Sequence, residues 1–303
     1  MAYATPFFIF VIFILFTSVG QMSKSKNKPA VILTFDDNWV NQYWFALPIL
    51  EKNNFNATFF VYCLGMNQGP GLMTSNQLRD LYARGFDIES HSMTHADLTK
   101  LNAKKLDYET AQSKTCLEDM VPGANITIYA PPFAQGDDNS TVLAKIRDSG
   151  FEFARTGYSK SAHLRCAADW YVTENQSAGC QLYEPGTQKL KLRNLYNLPA
   201  TDVNSFGRES NQDPVKTQAL FEKLVNDGLT YDDAGNLVEL SILTYHDLVP
   251  TASETKGTGL LQQSFKDQMQ YLKDNDFRVL SMRDLQYHPE NATFTMPTAG
   301  PGP

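Results

Sequence analysis

The chain has 303 residues, with 26 Lys and Arg against 33 Asp and Glu and a formal charge of -7. That balance argues against the basic footprint of a nucleic-acid binder, so no nucleic-acid partner is expected. Hydrophobic residues at 42% and charged ones at 19% exclude disorder throughout and supply enough chain for a sizeable core.

Residues 1–20 contain no Lys, Arg, Asp or Glu, and Phe7 to Phe16 is unbroken apolar. The run is short for a bilayer span of about 20 residues, and Ser18 and Gly20 suit a cleavage site. Residues 1–20 are therefore expected to be a secretory signal peptide, with an uncleaved N-terminal anchor as the alternative. Either way the body is expected to be secreted or extracytoplasmic, meeting a membrane only through this segment. An oxidising compartment permits disulfides. Cys166 and Cys180, which enclose a short loop containing Gly and Ser, are the favoured pair. Cys63 with Cys116 is a second candidate that spacing alone does not decide. Asn-x-Ser/Thr sites begin at Asn56, Asn125, Asn139, Asn175 and Asn291.

From residue 29 short apolar runs alternate with segments of helical period. Residues 30–35, 57–62, 86–90, 126–130, 151–155, 240–246 and 277–280 read as strands, several of them apolar on both faces, as buried parallel strands are. Leu78, Leu81 and Tyr82 recur at helical spacing after Ser75 and stop at Gly85; Val142, Leu143 and Ile146 do so after Asn139 and stop at Gly150; Phe265, Met269 and Leu272 follow Ser264. Seven strands with intervening helices fit an α/β single domain in which a parallel sheet closes into a barrel. An open dinucleotide-binding sheet fits less well, because no Gly-rich fingerprint follows the first strand. Residues 156–239 break the rhythm and are expected to be an enlarged substrate-facing loop with one helix over 213–226. Residues 288–303, ending PTAGPGP, are expected to be a mobile tail, with His163 and His288 on the surface.

Strand 30–35 runs into Asp36 and Asp37, which on extended backbone point to opposite sides. One of them could bind a metal while the other faces the reacting water. Strand 86–90 runs into His91 and His95, whose four-residue spacing on one helical turn would set both imidazoles on one face. One carboxylate and two imidazoles make three protein ligands, the number that leaves a position open on a catalytic zinc. Asp97 could orient a ligand from behind.

At these residues the chain resembles the polysaccharide deacetylase family, also called carbohydrate esterase family 4 or the NodB homology domain. The likeness is carried by TFDDN (34–38) and HSMTH (91–95), with ATFFVY (57–62), ILTYHDL (242–248) and FRVLSMRDL (277–285), and it extends over residues 29–287. The resemblance implies a distorted (β/α)7-type barrel with a metal site at the C-terminal ends of its strands. It implies hydrolysis of N-acetyl groups on an N-acetylated polysaccharide or surface glycan, with a divalent metal, zinc first and cobalt, manganese or nickel after it. By matching positions, Asp37, His91 and His95 would be metal ligands, Asp36 the catalytic base and His246 the acid. Phe133, in APPF, would offer the oxyanion a backbone N–H.

Three departures from the family pattern stand out. Asn38 occupies the place of a Gly, and Asn tolerates the same positive φ. Ala130 replaces an Arg that the family sets against its base, and Arg155, at the end of the next strand, is the candidate substitute. Only Asp169 and Trp170 remotely resemble the family's Asp-Trp pair, which leaves Trp170 to stack on a sugar or to pack. Two further readings share the site: an O-acetyl esterase or non-sugar amidohydrolase using the same metal, and a carbohydrate-binding protein without turnover.

Overall fold

The computed structural model describes residues 28–157, 162–163, 195–231, 235–254, 259–288 and 293–297. The N-terminal apolar run, Cys166, Cys180 and Trp170 lie outside them. Among the described residues no helix is long and apolar enough to cross a membrane.

The first strand, β1 (Ala30–Asp36), is buried along its whole length. It pairs in parallel with β9 (Leu237–Tyr245) on one side. On the other side its first half meets β12 (Arg278–Leu280) and its second half β2 (Thr58–Val61). From β2 the parallel order continues through β3 (Asp87–Ser90), β4 (Ile128–Tyr129) and β5 (Phe153–Ala154). The curl closes through the segment that reads as a loop. Leu198 bridges Arg155 in parallel, and β7 (Thr201–Asp202) then pairs with Leu243 and Thr244 of β9. The result is an α/β barrel of the (β/α)7 type, distorted because one of its closing staves, β7, is only a two-residue strand.

The described part of region 156–239 contains regular elements. Besides the closing stave it carries β6 (Ala162–His163) and β8 (Thr230–Tyr231), both antiparallel to β9. It also carries helix Pro214–Asp227, capped by Asp213 as its sequence suggests. Part of the expected tail is ordered among the described residues. Gln286–His288 and Thr293–Thr295 pair as an antiparallel hairpin, Phe294 is buried against Phe153, and the His288 ring bonds Thr295 Oγ1 at 2.7 Å.

Period-two alternation divides the core in two. Val31, Leu33 and Phe35 join the cluster that receives the helices, including Leu47 and Leu50 of α1 (Leu47–Asn53), Leu78 and Leu81 of α2 (Ser75–Ala83), Leu106 of α3 (Ala103–Glu109), Leu117 of α4 (Ala111–Met120) and Ile146 of α5 (Ser140–Asp148). Ala30 and Ile32 join Phe60, Ile128, Phe153, Leu198, Leu240 and Ile242 in a second cluster, drawn mainly from the strands, which is the barrel interior. The interior parity continues to the C-terminal strand ends, where it reaches Asp36, His91, Ala130, Arg155 and His246. A barrel-lining stripe therefore becomes a polar cluster where the strands stop.

A disulfide joins Cys63, just after β2, to Cys116 on α4. The favoured pair at Cys166 and Cys180 lies outside the described residues. Of the glycosylation sites, Asn125 is exposed, whereas the Asn139 side chain is engaged as the N-cap of α5.

Candidate functional site

A cavity of about 300 Å³ opens at the C-terminal strand ends, lined by Asp36, Asp37, His91, His95, Arg155 and His246 among others. Asp36 ends β1 with the interior parity. Asp37 leaves the strand at φ 73°, which turns its carboxylate into the same cavity rather than to the opposite side, as an extended backbone would. Asn38 follows at φ 61° and is fully buried; its side chain donates to the Tyr62 carbonyl at 2.9 Å and accepts from the Tyr62 N–H at 3.1 Å. Asn here tolerates the left-handed turn and also ties β1 to the end of β2, which Gly could not do.

The expectation of a helical turn at His91 and His95 is corrected: residues 91–97 contain neither helix nor strand. Ser92 at φ 83° and His95 at φ 62° fold the loop back on itself, and the two imidazole centroids stand 4.9 Å apart. The His91 Nε2 and His95 Nε2 atoms lie 3.4 and 3.0 Å from Asp37 Oδ1. His91 Nδ1 bonds the Ala130 carbonyl at 2.7 Å, which leaves Nε2 as the lone-pair nitrogen on the cavity side. Burial alone would raise the Asp37 pKa, but the close contacts with His91 and His95 outweigh it and hold the carboxyl well below the usual range.

One ligand atom from each of Asp37, His91 and His95 lies within 4.8 Å of the others, and Asp37 Oδ1 is buried without a well-aligned hydrogen-bond donor. Three convergent Lewis-basic atoms, one of them orphaned, fit a divalent cation of the zinc class.

Two charge pairs flank this triad. A guanidinium nitrogen of Arg155 bonds Asp36 Oδ1 with both side chains buried, and the guanidinium lies 4.6 Å over the Phe60 ring. Arg155, at the end of the strand next to Ala130, thus sets its guanidinium on Asp36. On the other flank His246 Nε2 lies 4.0 Å from Asp36 Oδ2, while its Nδ1 lies 3.3 Å from Asp202 Oδ1. Burial would lower the His246 pKa; the Asp202 contact and the charges of Asp36 and Asp37 overcome that and hold it at about 9. Asp202 in turn is lowered, its burial outweighed by His246 and Arg208. Beneath both flanks the buried Gln42 amide donates to the Asp36 and His246 carbonyls at 2.5 and 3.3 Å.

Phe133 sits at φ 58° with its ring edge-on to His95 at 4.5 Å and 61% exposed, on the cavity rim. Asp97 does not touch the ligands; it caps the following 3-10 turn through Thr99. Asp202 and Gln42 escaped sequence reasoning. Asp202 sits in the irregular insertion with no motif beside it, and only a search for an acid facing His246 could have found it. Gln42 lies in a single π-helical turn, Gln42–Ala46, a geometry that leaves no periodic signal.

Residues 23–154 match the profile described as polysaccharide deacetylase. This segment belongs to the polysaccharide deacetylase family. A chitin deacetylase of Arthroderma benhamiae is 32% identical over 118 residues, 39% of this chain and 31% of that protein. The peptidoglycan-N-acetylglucosamine deacetylase PgdA of Listeria monocytogenes is 30% identical over 129 residues, 42% of this chain and 26% of its own length. The match covers 46%, 19% and 31% of the length of three of the curated relatives. Among solved structures, the CE4 domain of a multidomain xylanase from the hindgut metagenome of Trinervitermes trinervoides overlays with a TM-score of 0.54, 18% identity and coverage of 85% of this chain and 89% of that one. That likeness is one of fold, and it reaches into the second half of the polypeptide, beyond the sequence profile.

Proposed function

We propose that this chain is an exported, metal-dependent hydrolase that removes N-acetyl groups from an N-acetylated polysaccharide or surface glycan. The single observation carrying the proposal is one cavity holding a ligand triad, Asp37, His91 and His95, between a carboxylate paired with arginine and an imidazole paired with aspartate. When bound there, a divalent ion supplies Lewis-acid polarisation of the acetyl carbonyl.

The remaining chemistry falls to the side chains. Asp36, facing the cavity from the end of β1, accepts a proton from the attacking water, and Arg155 holds the carboxylate that does so. The Phe133 N–H is assigned to the developing oxyanion. His246, with Nδ1 against Asp202, holds a proton on Nε2 toward the cavity and gives it to the sugar nitrogen, which leaves poorly unless protonated. Water and amide thereby become acetate and a free amine. Trp170 is kept as a candidate sugar-stacking residue.

Asp37→Ala and His95→Ala are each expected to abolish acetate release and zinc binding together. Acetate assays on N-acetylglucosamine oligomers and peptidoglycan, with equilibrium dialysis for zinc, check this. Full activity in either variant would sink the ligand set.

A further inference from the structure

We propose that Glu109 is a positioning residue for the metal site: its carboxylate holds the His91–His95 loop in the shape that sets both imidazoles on Asp37. This inference rests on the metal-site reading above.

The loop needs such a restraint. Two of its five residues, Ser92 and His95, adopt positive φ without being glycine. Each such residue costs on the order of 1 kcal/mol or more, and the conformation persists only where its surroundings over-determine it. From one side the backbone N–H groups of Cys63 and Leu64 donate to the carbonyls of Ser92 and Met93 at 3.1 and 2.9 Å. From the other side comes Glu109, the last residue of α3. Its Oε2 accepts the Met93 and Thr94 N–H groups at 3.0 and 2.8 Å, and its Oε1 accepts the Thr94 hydroxyl at 2.6 Å.

Glu109 is 4% exposed, and among the described residues no Lys, Arg or His forms an ion pair with it. Burying a carboxylate without a counter-cation is expensive unless hydrogen bonds replace the lost water. Both oxygens of Glu109 spend their bonds on Met93 and Thr94, between the two histidines. Packing α3 against the barrel does not require this, since Leu106 already fills that role from the same helix. The carboxylate is therefore explained by the loop it shapes.

The test compares E109D, E109Q and T94V in the full-length, disulfide-intact protein. Zinc affinity is measured by competition with a chromophoric chelator, alongside the melting temperature of each metal-free form. Asp keeps the charge but falls a methylene short of Met93 and Thr94. Gln keeps the reach, with the Thr94 hydroxyl turned round to accept. E109D is expected to weaken zinc binding about 10- to 100-fold, as loss of a supporting partner behind a ligand does. E109Q and T94V should each weaken it only about threefold, the scale of one weakened hydrogen bond.

Wild-type zinc affinity in E109D would overturn the proposal. So would equal losses in E109D and E109Q that track a fall in the metal-free melting temperature, because that pattern belongs to general stability. If E109D does not fold, unchanged affinity in both E109Q and T94V overturns it. Failure of the wild-type protein to bind zinc would overturn the metal-site reading and this inference together, whereas zinc binding that ignores the Glu109 variants overturns this inference alone.

Discussion

Arg155 and Asp36 face each other with 4% and 3% of their side chains exposed, and a buried pair of this kind is far more sensitive to losing one member than to losing both. Arg155→Met is expected to cost about 3–5 kcal/mol of folding stability, because buried Asp36 loses its hydrogen-bonded cation and is left with His246 at 4.0 Å. Urea denaturation measures it, and acetate release should fall in the same variant. Ordinary surface-pair behaviour, below about 1 kcal/mol, would remove Arg155 from the site. His246 gives a pH signature in the metal-free protein. Its folded pKa, about 9, stands above that of an unfolded histidine, so its stabilisation is fully present below about pH 6.5 and is lost as pH rises through about 9. The stability difference between wild type and His246→Gln should shrink over that window, and a flat difference from pH 6 to 10 would count against the Asp202 pairing. On substrate, His246→Ala should lose more activity toward an amide than toward an acetyl ester, since an alkoxide leaves with less help from an acid.

The elements that carry the site are of two kinds. β1, β5 and β9 deliver Asp36, Arg155 and His246 by alternation alone, so these side chains are as rigid as the barrel. His91 and His95 depend on an irregular loop tied to its neighbours by Glu109 and by the Cys63–Leu64 backbone. The disulfide from Cys63 to Cys116 fastens that second support to α4 and closes a span of 53 residues. Replacing both cysteines with serine is expected to cost about 4 kcal/mol by the loop-entropy argument. Guanidinium titration of the oxidised protein against the double variant reads the difference, and zinc affinity should weaken in parallel because the Cys63 and Leu64 amides bond the His91–His95 loop. The four-residue spacing of the two histidines correctly suggests that they meet. Their geometry comes from left-handed residues in a loop rather than from a helical turn, and positive φ at a serine and a histidine has no signature in the sequence.

At the scale of the whole molecule, the insertion closes the barrel, since Leu198 bridges Arg155 and β7 pairs with β9. A cation shared by residues of β1 and the loop after β3 would bind the folded barrel and not the unfolded chain. At a free zinc concentration about 100 times its dissociation constant, the protein should gain about 2.7 kcal/mol over its chelator-treated form. Paired denaturation curves with zinc and with EDTA check this, and identical curves would argue against a site at Asp37. The parallel strands, several of the helices and the Asp36–Asp37 and His91–His95 motifs were legible in sequence because each is a local pattern: apolar runs of strand length, 3.6-residue periods, and short motifs whose members sit a few positions apart. Arg155 was legible as a candidate because its strand end was visible, but its partner was not. The bond from Arg155 to Asp36 spans 119 positions, and Asp202 reaches His246 from a segment whose sequence reads as loop. Which strand ends face one another is set by the order in which the staves close, and that order depends on backbone hydrogen bonds between distant segments. Periodicity along the chain carries no record of those bonds, so the sequence by itself determined the parts of the site, and only the tertiary structure decided their pairing.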